Sequence, residues 1–380
     1  MRIVKLGDLV TVMNEREDNP SQSKYDHFVG LEHYDSGSVS ITRWGSTEML
    51  VSAMKVFHRG DILVARRNVY LKRASTVDFD GITSGDSIIL RVNDERYKAI
   101  VPFVLNTDSF WDYADQHSDG SMSKRLAPKT MLEYEFTLPD DEEVERLSTL
   151  LWAMERTKTA YKNLIAKTDE LVKSQFIEMF GSPIDNPRGW PTKGLTELGS
   201  CKNGMNFGAR DQGVTIQSVG VGDIKELDYI TDIGALTTLS LNEMPSDEYL
   251  LKDGDLVFVR SNGNKNLVGR CVAVCSHGAP VTFSGFCIRF RKESEEVELD
   301  YLLRFLKLPE VRVKMAGRGA NIQNLNQKIL ASLQIPIPPL ELQQTYIEFV
   351  QQSDKSKFAA QQALADLTAT QKALLRQYLG

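Results

Sequence analysis

The sequence predicts an α+β protein in which two similar modules alternate with two long helices. Three observations lead to this fold class: a repeated β-rich motif, two amphipathic segments that superimpose without a gap, and a length of 380 residues. That length suits two or three domains of about 100–200 residues. Hydrophobic residues make up 42% and charged residues 25%, which is ordinary for a globular chain, and no apolar run is long enough for a transmembrane helix.

The first module is predicted to occupy residues 1–137 and the second residues 183–335. A glycine-aspartate turn, an apolar run and a final arginine follow one another at 60–66, and the same pattern returns at 254–260. Such a turn before a β-rich run is typical of a strand. Residues 29–31 and 120–126 also have counterparts, at 219–221 and 319–325. The shift between the copies grows from 190 to 199 residues, which indicates loop insertions in the second module.

The segment between the modules, residues 138–182, is predicted to form one long helix. Apolar residues recur every three or four positions from Val144 to Met179, with Lys158 and Gln175 at the polar positions. This spacing is typical of a coiled coil or helical bundle. Some 40 residues in a helix measure about 60 Å. Four further residues are expected to widen the apolar stripe: Leu150, Leu164, Leu171 and Phe176.

The C-terminal segment, residues 336–380, repeats this helix at a shift of 199. Both segments start at a proline and end at a glycine, Gly181 and Gly380. An exposed apolar stripe needs a partner, and the other helix of the same chain is the nearest one. We therefore expect antiparallel packing, with a module at each end and an approximate internal two-fold axis. In this seam Leu151, Ile165 and Val172 are expected to face Val350, Leu364 and Leu367.

The charge of the chain is −6, which argues against wholesale non-specific binding to polyanions. A local surface can still attract nucleic acid, because the nearby charges set the field. The second module is neutral as a whole but ends in a basic stretch. This stretch contains one acidic residue, Glu310, and six basic residues: Arg304, Lys307, Arg312, Lys314, Arg318 and Lys328.

Signatures of catalysis are missing from the sequence. No glycine precedes a lysine, so the phosphate-binding P-loop is absent, and no H-E-x-x-H or [DN]-P-P-[FYW] motif occurs. The four cysteines form no C-x-x-C pair, so a structural zinc site is not expected. We expect no catalytic residue, metal or cofactor in this chain. Because the N-terminus lacks a signal-peptide pattern, a cytoplasmic location is expected.

Two polar segments at predicted strand ends are candidates for reading DNA. Residues 66–73 place four cations around Tyr70, and residues 260–266 are their counterpart. Arginine and lysine can bridge guanine, and asparagine can bridge adenine. The alternative is a pair of solvated loops in which asparagine and glycine only form turns. The equivalence of the loops favours recognition, and the candidate DNA-binding residues are Arg66, Arg67, Tyr70, Lys72, Ser123, Lys124, Arg125, Arg260, Ser261, Asn262, Asn264, Lys265, Asn321 and Gln323.

These segments together resemble the specificity subunits of type I restriction-modification enzymes. In the first half the resemblance lies in GDILVARRNVYL at 60–71, GSMSKRL at 120–126 and KSQFIEMFG at 173–181. In the second half it lies in GDLVFVRSNGNK at 254–265 and IPIPPLELQQ at 335–344. The likeness extends over the whole chain in the order of the family. At 138–142 the chain departs from it, because LPDDE lacks the second proline of the matching segment.

The resemblance implies two target-recognition domains, 1–137 and 183–335, separated by a central conserved helix, 138–182, and a C-terminal conserved helix, 336–380. Each domain would read half of a bipartite target in double-stranded DNA. The helices would dock two methyltransferase subunits, which bind S-adenosylmethionine. Separate restriction subunits would use ATP and Mg²⁺ for translocation and cleavage. This chain would then be a non-catalytic specificity subunit.

Two alternatives stay open from the residues alone. A DNA adenine methyltransferase acting by itself is disfavoured by the missing [DN]-P-P-[FYW] motif, and a cofactor-binding assay on the pure chain tests it. A coiled-coil adaptor that does not bind nucleic acid would account for the helices but not for the paired polar loops. A gel shift with the chain's own target separates that adaptor from a DNA reader.

Overall fold

The computed structural model describes residues 1–120, 124–208, 213–225, 228–316 and 324–380. They divide into two compact units: Met1–Ile165 with Ala359–Gly380, and Ala166–Phe358. Both units mix helices with strands, which confirms the predicted α+β class. Each long helix is shared between the units, so the predicted four-part division of the chain stays a prediction. Among the described residues, no helix is both long and apolar enough to cross a membrane.

The first unit is built from short strands, short helices and parts of the two long helices. Its strands are β1 (Arg2–Lys5), β2 (Val10–Met13), β3 (Arg16–Glu17), β4 (His27–Val29), β5 (Gly45–Ser46), β6 (Met54–Phe57), β7 (Ile62–Ala65), β8 (Ala74–Thr76), β9 (Gly81–Thr83), β10 (Ser87–Val92) and β11 (Glu135–Leu138). Its short helices are α1 (Leu6–Leu9), α2 (Glu95–Lys98), α3 (Val101–Val104), α4 (Asp108–Gln116) and α5 (Pro128–Leu132).

The strands of the first unit form two larger sheets, ordered β2-β10-β7-β8 and β3-β6-β9-β4-β5, and a β1-β11 pair. In the first sheet β7 pairs with β8 as an antiparallel hairpin, Val64 opposite Ala74. In the second, β4 and β9 run parallel. The predicted strand at the first glycine-aspartate turn is therefore β7, and its apolar run is buried.

The central helix is α6 (Asp141–Phe180), and it lies within the predicted range. Inside the first unit its residues Leu147 and Leu151 are buried in one core with Leu375 and Leu379 of the C-terminal helix. Burying each leucine stabilises the fold by about 1.5–3 kcal/mol. One expectation about this helix is wrong: Leu150, Leu164 and Leu171 do not widen the buried stripe, because they are 47%, 50% and 51% exposed.

The second unit repeats the arrangement with different loops. Its strands are β12 (Thr192–Gly194), β13 (Gly199–Asn203), β14 (Val214–Val219), β15 (Tyr229–Ile230), β16 (Thr237–Leu241), β17 (Leu256–Val259), β18 (Cys271–Val274), β19 (Val281–Phe283), β20 (Cys287–Lys292) and β21 (Gln334–Pro336). Its helices are α7 (Leu299–Lys307), α8 (Pro309–Ala316) and α9 (Gln327–Ala331), followed by the C-terminal helix α10 (Leu340–Leu379).

The sheets of the second unit match most of the sheets of the first, but among the described strands β3 and β6 have no counterpart in the three-stranded sheet β16-β14-β19. The order β13-β20-β17-β18-β15 corresponds to β2-β10-β7-β8 with β15 added at the edge. The parallel pair β14-β19 corresponds to β4-β9, and β12-β21 to β1-β11. The internal repeat predicted from the sequence is thus present in the strand topology.

The long helices run antiparallel inside each unit. In the first unit Lys158 of α6 donates to Gln371 Oε1 of α10 at 2.8 Å, and Arg146, earlier in α6, interacts with the later Tyr378. In the second unit Lys357 Nζ donates to Asp169 Oδ1 at 2.6 Å. Val172 and Val350 share one core there, as expected for the seam.

Candidate nucleic-acid interface

The first candidate loop, residues 66–73, joins β7 to β8 and is here called the first loop. Asn68 and Lys72 adopt left-handed conformations, with φ of 54° and 49°. Asparagine tolerates this region better than most residues, which explains Asn68 at the bend. Between them Val69 is buried and Tyr70 is 67% exposed. The loop is therefore anchored by one side chain while its aromatic ring remains accessible.

A second chain segment docks beside the first loop. The Leu126 amide donates to Arg66 O at 2.9 Å, and the Asn68 amide donates to Lys124 O at 3.0 Å. The backbones of Arg67 and Arg125 thereby form a short antiparallel bridge. The structure brings together Arg66, Arg67, Tyr70, Lys124 and Arg125, whereas the side chain of Lys72 pairs with Asp108 of α4 at 2.6 Å. Three other predicted residues, Ser123, Asn321 and Gln323, lie outside the described residues.

The cations of this surface are held by carboxylates that remain partly in solvent. Arg67 lies 3.2 Å from Asp86 and Arg125 lies 3.7 Å from the same residue. Lys124 pairs with Asp115 at 2.8 Å. Such exposed ion pairs contribute about 0–1 kcal/mol. A phosphate can therefore replace the carboxylates at little cost, which suits a nucleic-acid surface.

Two further cations at this surface were not among the DNA-binding residues predicted from the sequence. Arg16 of β3 and Lys55 of β6 stand directly opposite each other in the sheet. Burial lowers the pKa of Lys55, and the positive charges of Arg66 and Arg16 lower it further. Like charges in this arrangement are mutually destabilising, and Lys55 Nζ donates to Ser87 O at 3.0 Å. Only the strand pairing reveals the cluster, since its members are far apart in the sequence.

Arg73 plays a different part, although it follows the candidate residues directly. Its two terminal nitrogens donate to Leu31 O at 3.1 Å and to Arg67 O at 3.0 Å. Burial lowers its pKa. Arg73 therefore fixes the path of the first loop.

The second candidate segment, residues 260–266, lies in the loop 260–270 that joins β17 to β18, and this whole loop is here called the second loop. The Asn264 amide donates to Asn262 Oδ1 at 2.8 Å, and the Asn266 amide donates to Asn264 Oδ1 at 3.1 Å. These are asparagine turns of the kind that the alternative interpretation proposed. The loop brings Arg260, Ser261, Asn262, Asn264 and Lys265 together, and the oxygens of both asparagines serve its backbone.

The two loops are anchored by the same backbone hydrogen bonds. Arg66 N donates to Asp86 O at 2.9 Å, as Arg260 N does to Phe286 O at 2.8 Å. Leu325 N donates to Arg260 O at 2.9 Å, which repeats the bond from Leu126 to Arg66. These bonds bring together segments that lie 20–65 residues apart in the sequence. The loops are therefore equivalent in structure as well as in sequence.

A buried carboxylate secures the start of each hairpin. Asp61 and Asp255 are each 1% exposed, and each accepts two hydrogen bonds from an arginine of the neighbouring strand, Arg91 or Arg291. The glycine before each aspartate has a positive φ, 89° at Gly60 and 85° at Gly254, which side chains rarely adopt. The repeated glycine-aspartate motif is thus a structural anchor that positions the loop at the other end of the strand.

Replacing Asp255 with alanine is expected to lower the free energy of unfolding by about 3 kcal/mol, since removing one partner of a buried pair leaves the other charge unpaired. Asp61→Ala should cost less, because Arg91 is 42% exposed and can be rehydrated, whereas Arg291 is only 22% exposed. Urea unfolding measures both. The control is Asp247→Ala, whose carboxylate is 79% exposed and pairs with Lys252. Equal losses for Asp255→Ala and Asp247→Ala would contradict the anchoring role.

The second half of the chain is similar to a known family of protein domains. Residues 187–367 match the model of the type I restriction modification DNA specificity domain. A curated relative, the type I restriction enzyme StySPI specificity subunit of Salmonella potsdam, is 28% identical over 175 residues. This alignment covers 43% of the chain but 36% of the relative, so it spans about a third of the relative's length.

Two solved structures are similar over nearly the whole chain. One comes from work on complex assembly and conformational transition of a type I R-M system, with a TM-score of 0.59, 20% identity and coverage of 99% of this chain and 97% of that one. The other is the type I restriction-modification S subunit from M. genitalium, with a TM-score of 0.55, 14% identity and coverage of 100% and 96%. At these identities the likeness concerns the fold, and it confirms the predicted architecture of two α+β parts with long helices.

Proposed function

We propose, from the match of residues 187–367 to the type I restriction modification DNA specificity domain, that the chain belongs to this family and recognises a bipartite target in double-stranded DNA. The first loop, with Lys124 and Arg125, contacts one half of the target. The second loop contacts the other half. The chain carries out no chemistry itself.

One observation carries this proposal: two equivalent polar loops are held in the same way, one in each unit. The hydrogen bonds at Arg66 and Arg260 match, while the side chains that the loops display differ. Both loops carry arginine and lysine, but the first adds an exposed tyrosine whereas the second adds serine and asparagine. Equivalent backbone hydrogen bonds combined with different contact side chains are expected of two loops that recognise different DNA sequences.

The partner assignments follow from the same proposal. Two methyltransferase subunits dock on the long helices, bind S-adenosylmethionine and methylate adenine. Restriction subunits supply ATP- and Mg²⁺-dependent translocation and cleavage. Three half-exposed leucines of α6 support a role of this helix in docking other subunits. Leu150, Leu164 and Leu171 keep about half of their apolar surface exposed to solvent, where a partner can cover it.

Arg66→Ala and Arg260→Ala test the assignment of the loops. Each variant is expected to weaken binding by about 1–3 kcal/mol and to relax recognition in one half of the target, because each removes a side chain from one loop only. The measurement is methylome sequencing of cells that express the variant with its methyltransferase, followed by binding titrations of the full chain on the target found.

A matched control is Lys162→Ala, which removes one exposed charge from α6, away from both loops. It should leave both half-targets unchanged. If Arg66→Ala and Arg260→Ala retain the parental affinity and specificity, the loops are not the readers. If they weaken binding to every sequence alike and flatten its salt dependence, they contact phosphates instead of bases.

A further inference from the structure

A basic pocket lies in the second unit, next to the second loop. Its volume is about 290 Å³, close to the lower limit of about 300 Å³ for small-ligand sites. The long helices contribute Lys173 and Lys357 to its wall, and α7 contributes Arg304 and Lys307. Part of the basic stretch seen in the sequence thus lines this pocket, and none of the lining residues is among the candidate DNA-binding residues.

The charge of the pocket is strongly unbalanced. Among the described residues of its lining, seven cations face two carboxylates, Asp169 and Asp228. Asp228 bridges Arg304 at 2.8 Å and Lys307 at 2.5 Å. Burial by itself raises the pKa of Asp228, but these two cations outweigh that effect and hold the pKa below its ordinary value. Arg304 also lies 2.7 Å from Asp354, which is not part of the lining, so seven cations still face three carboxylates.

The pocket is joined to the second loop through two arginines. Arg270, the last residue of the loop, lines the pocket. Arg312 of α8 also lines it, and its Nη2 donates to Asn266 O of the loop at 2.7 Å. An anion in the pocket would therefore lie beside the segment that reads DNA.

The first unit provides a comparison within the same chain. Its corresponding pocket, between α4 and the end of α10, is lined by Lys372, the counterpart of Lys173. There Lys372 and Arg376 are balanced by Asp108 and Asp112. The excess of positive charge is thus a property of the second unit and not a consequence of the shared fold.

We propose that this pocket binds a backbone phosphate of the DNA duplex that the second loop reads, with Lys173 and Lys225 as contacting residues. Both lysines line the pocket and are exposed, so they can reach a phosphate without breaking a buried ion pair. Arginine and lysine are the side chains that recognise phosphate oxygens. The inference rests on the proposed function, because the phosphate belongs to the same duplex.

The test is the double variant Lys173→Gln/Lys225→Gln of the full chain, titrated with the target duplex and with a scrambled duplex over a range of salt. Each phosphate contact contributes about 0.9 to the slope of log K against log salt. At about 0.1 M salt, losing one contact should weaken binding to both duplexes about tenfold and lower that slope by about 0.9. The preference for the target should not change. The matched control is Lys372→Gln in the balanced pocket, which should alter neither affinity nor slope.

Three results would overturn the inference. The first is an unchanged slope in the double variant. The second is a double variant that loses binding of inorganic phosphate, measured by calorimetry, while its DNA binding stays parental, which would assign the pocket to a free anion. The third is a double variant that binds DNA normally but no longer binds the methyltransferase subunits, which would assign it to an acidic protein surface. A different result would overturn the proposed recognition function: a wild-type chain that binds the target duplex and the scrambled duplex equally well. In that case a smaller salt dependence in the double variant would still show the phosphate contact.

Discussion

Leu151→Asp is expected to unfold the first unit or to make the chain aggregate. Leu151 is fully buried in the core that α6 shares with the C-terminal part of α10. Removing a buried leucine side chain costs about 2–5 kcal/mol, and an unpaired carboxylate in an apolar core costs several more. That sum approaches the whole stability of an ordinary domain, about 5–15 kcal/mol. Soluble yield and thermal melting by circular dichroism measure the effect.

The adjacent leucine provides a matched control. Leu150 has the same chemistry and lies in the same helical turn, but it is 47% exposed. Leu150→Asp should therefore leave the yield and the melting temperature nearly unchanged, and it should weaken docking of a methyltransferase subunit if that subunit covers this face. If Leu151→Asp melts like the parental chain, the seam assigned to α6 and α10 is wrong.

Lengthening the central helix is expected to change the spacing of the two half-targets without changing the half-targets themselves. Four helix-forming residues inserted after Lys167 add about one turn and about 6 Å. Base pairs are about 3.4 Å apart, so the gap should grow by one or two base pairs. The two loops are untouched, so the sequences they read should be preserved. Methylome sequencing of the variant, expressed with the proposed methyltransferase subunit, measures the gap directly.

The hydrogen bonds between the helices show how this insertion should be made. Lys158 bonds to Gln371 in the first unit, and Asp169 bonds to Lys357 in the second. An insertion in α6 between residues 158 and 169 alone shifts one of these two hydrogen-bonded pairs out of register. A second insertion of four residues in α10, between residues 357 and 371, restores the register so that both pairs can form. We expect the doubly lengthened chain to be active with a longer gap and the singly lengthened chain to be less stable. An active, doubly lengthened chain with the parental gap would show that the helices do not set the spacing.

The chain's own periodicity predicted the features that depend on neighbours in the sequence. The three- and four-residue spacing from Val144 to Met179 predicted α6 to within three residues at each end, because helix formation depends on contacts between successive turns. The repeated glycine-aspartate turn predicted β7 and β17 for a similar reason. The internal repeat could be recognised in the sequence because both copies keep the glycine and aspartate of this turn and the apolar residues of the strand that follows it.

Tertiary structure alone decided which of two neighbouring leucines is buried and which cations meet. Leu150 and Leu151 are equally apolar, and only the packing of the first unit's core, to which α10 contributes Leu375 and Leu379, separates them. Arg67 and Arg125 converge on Asp86 because strand pairing brings three distant segments together. The basic pocket likewise collects residues from 169 to 357. Helical and strand periodicity are local properties of a sequence, whereas charge clusters arise from pairings across tens or hundreds of residues, which no spacing in the sequence records.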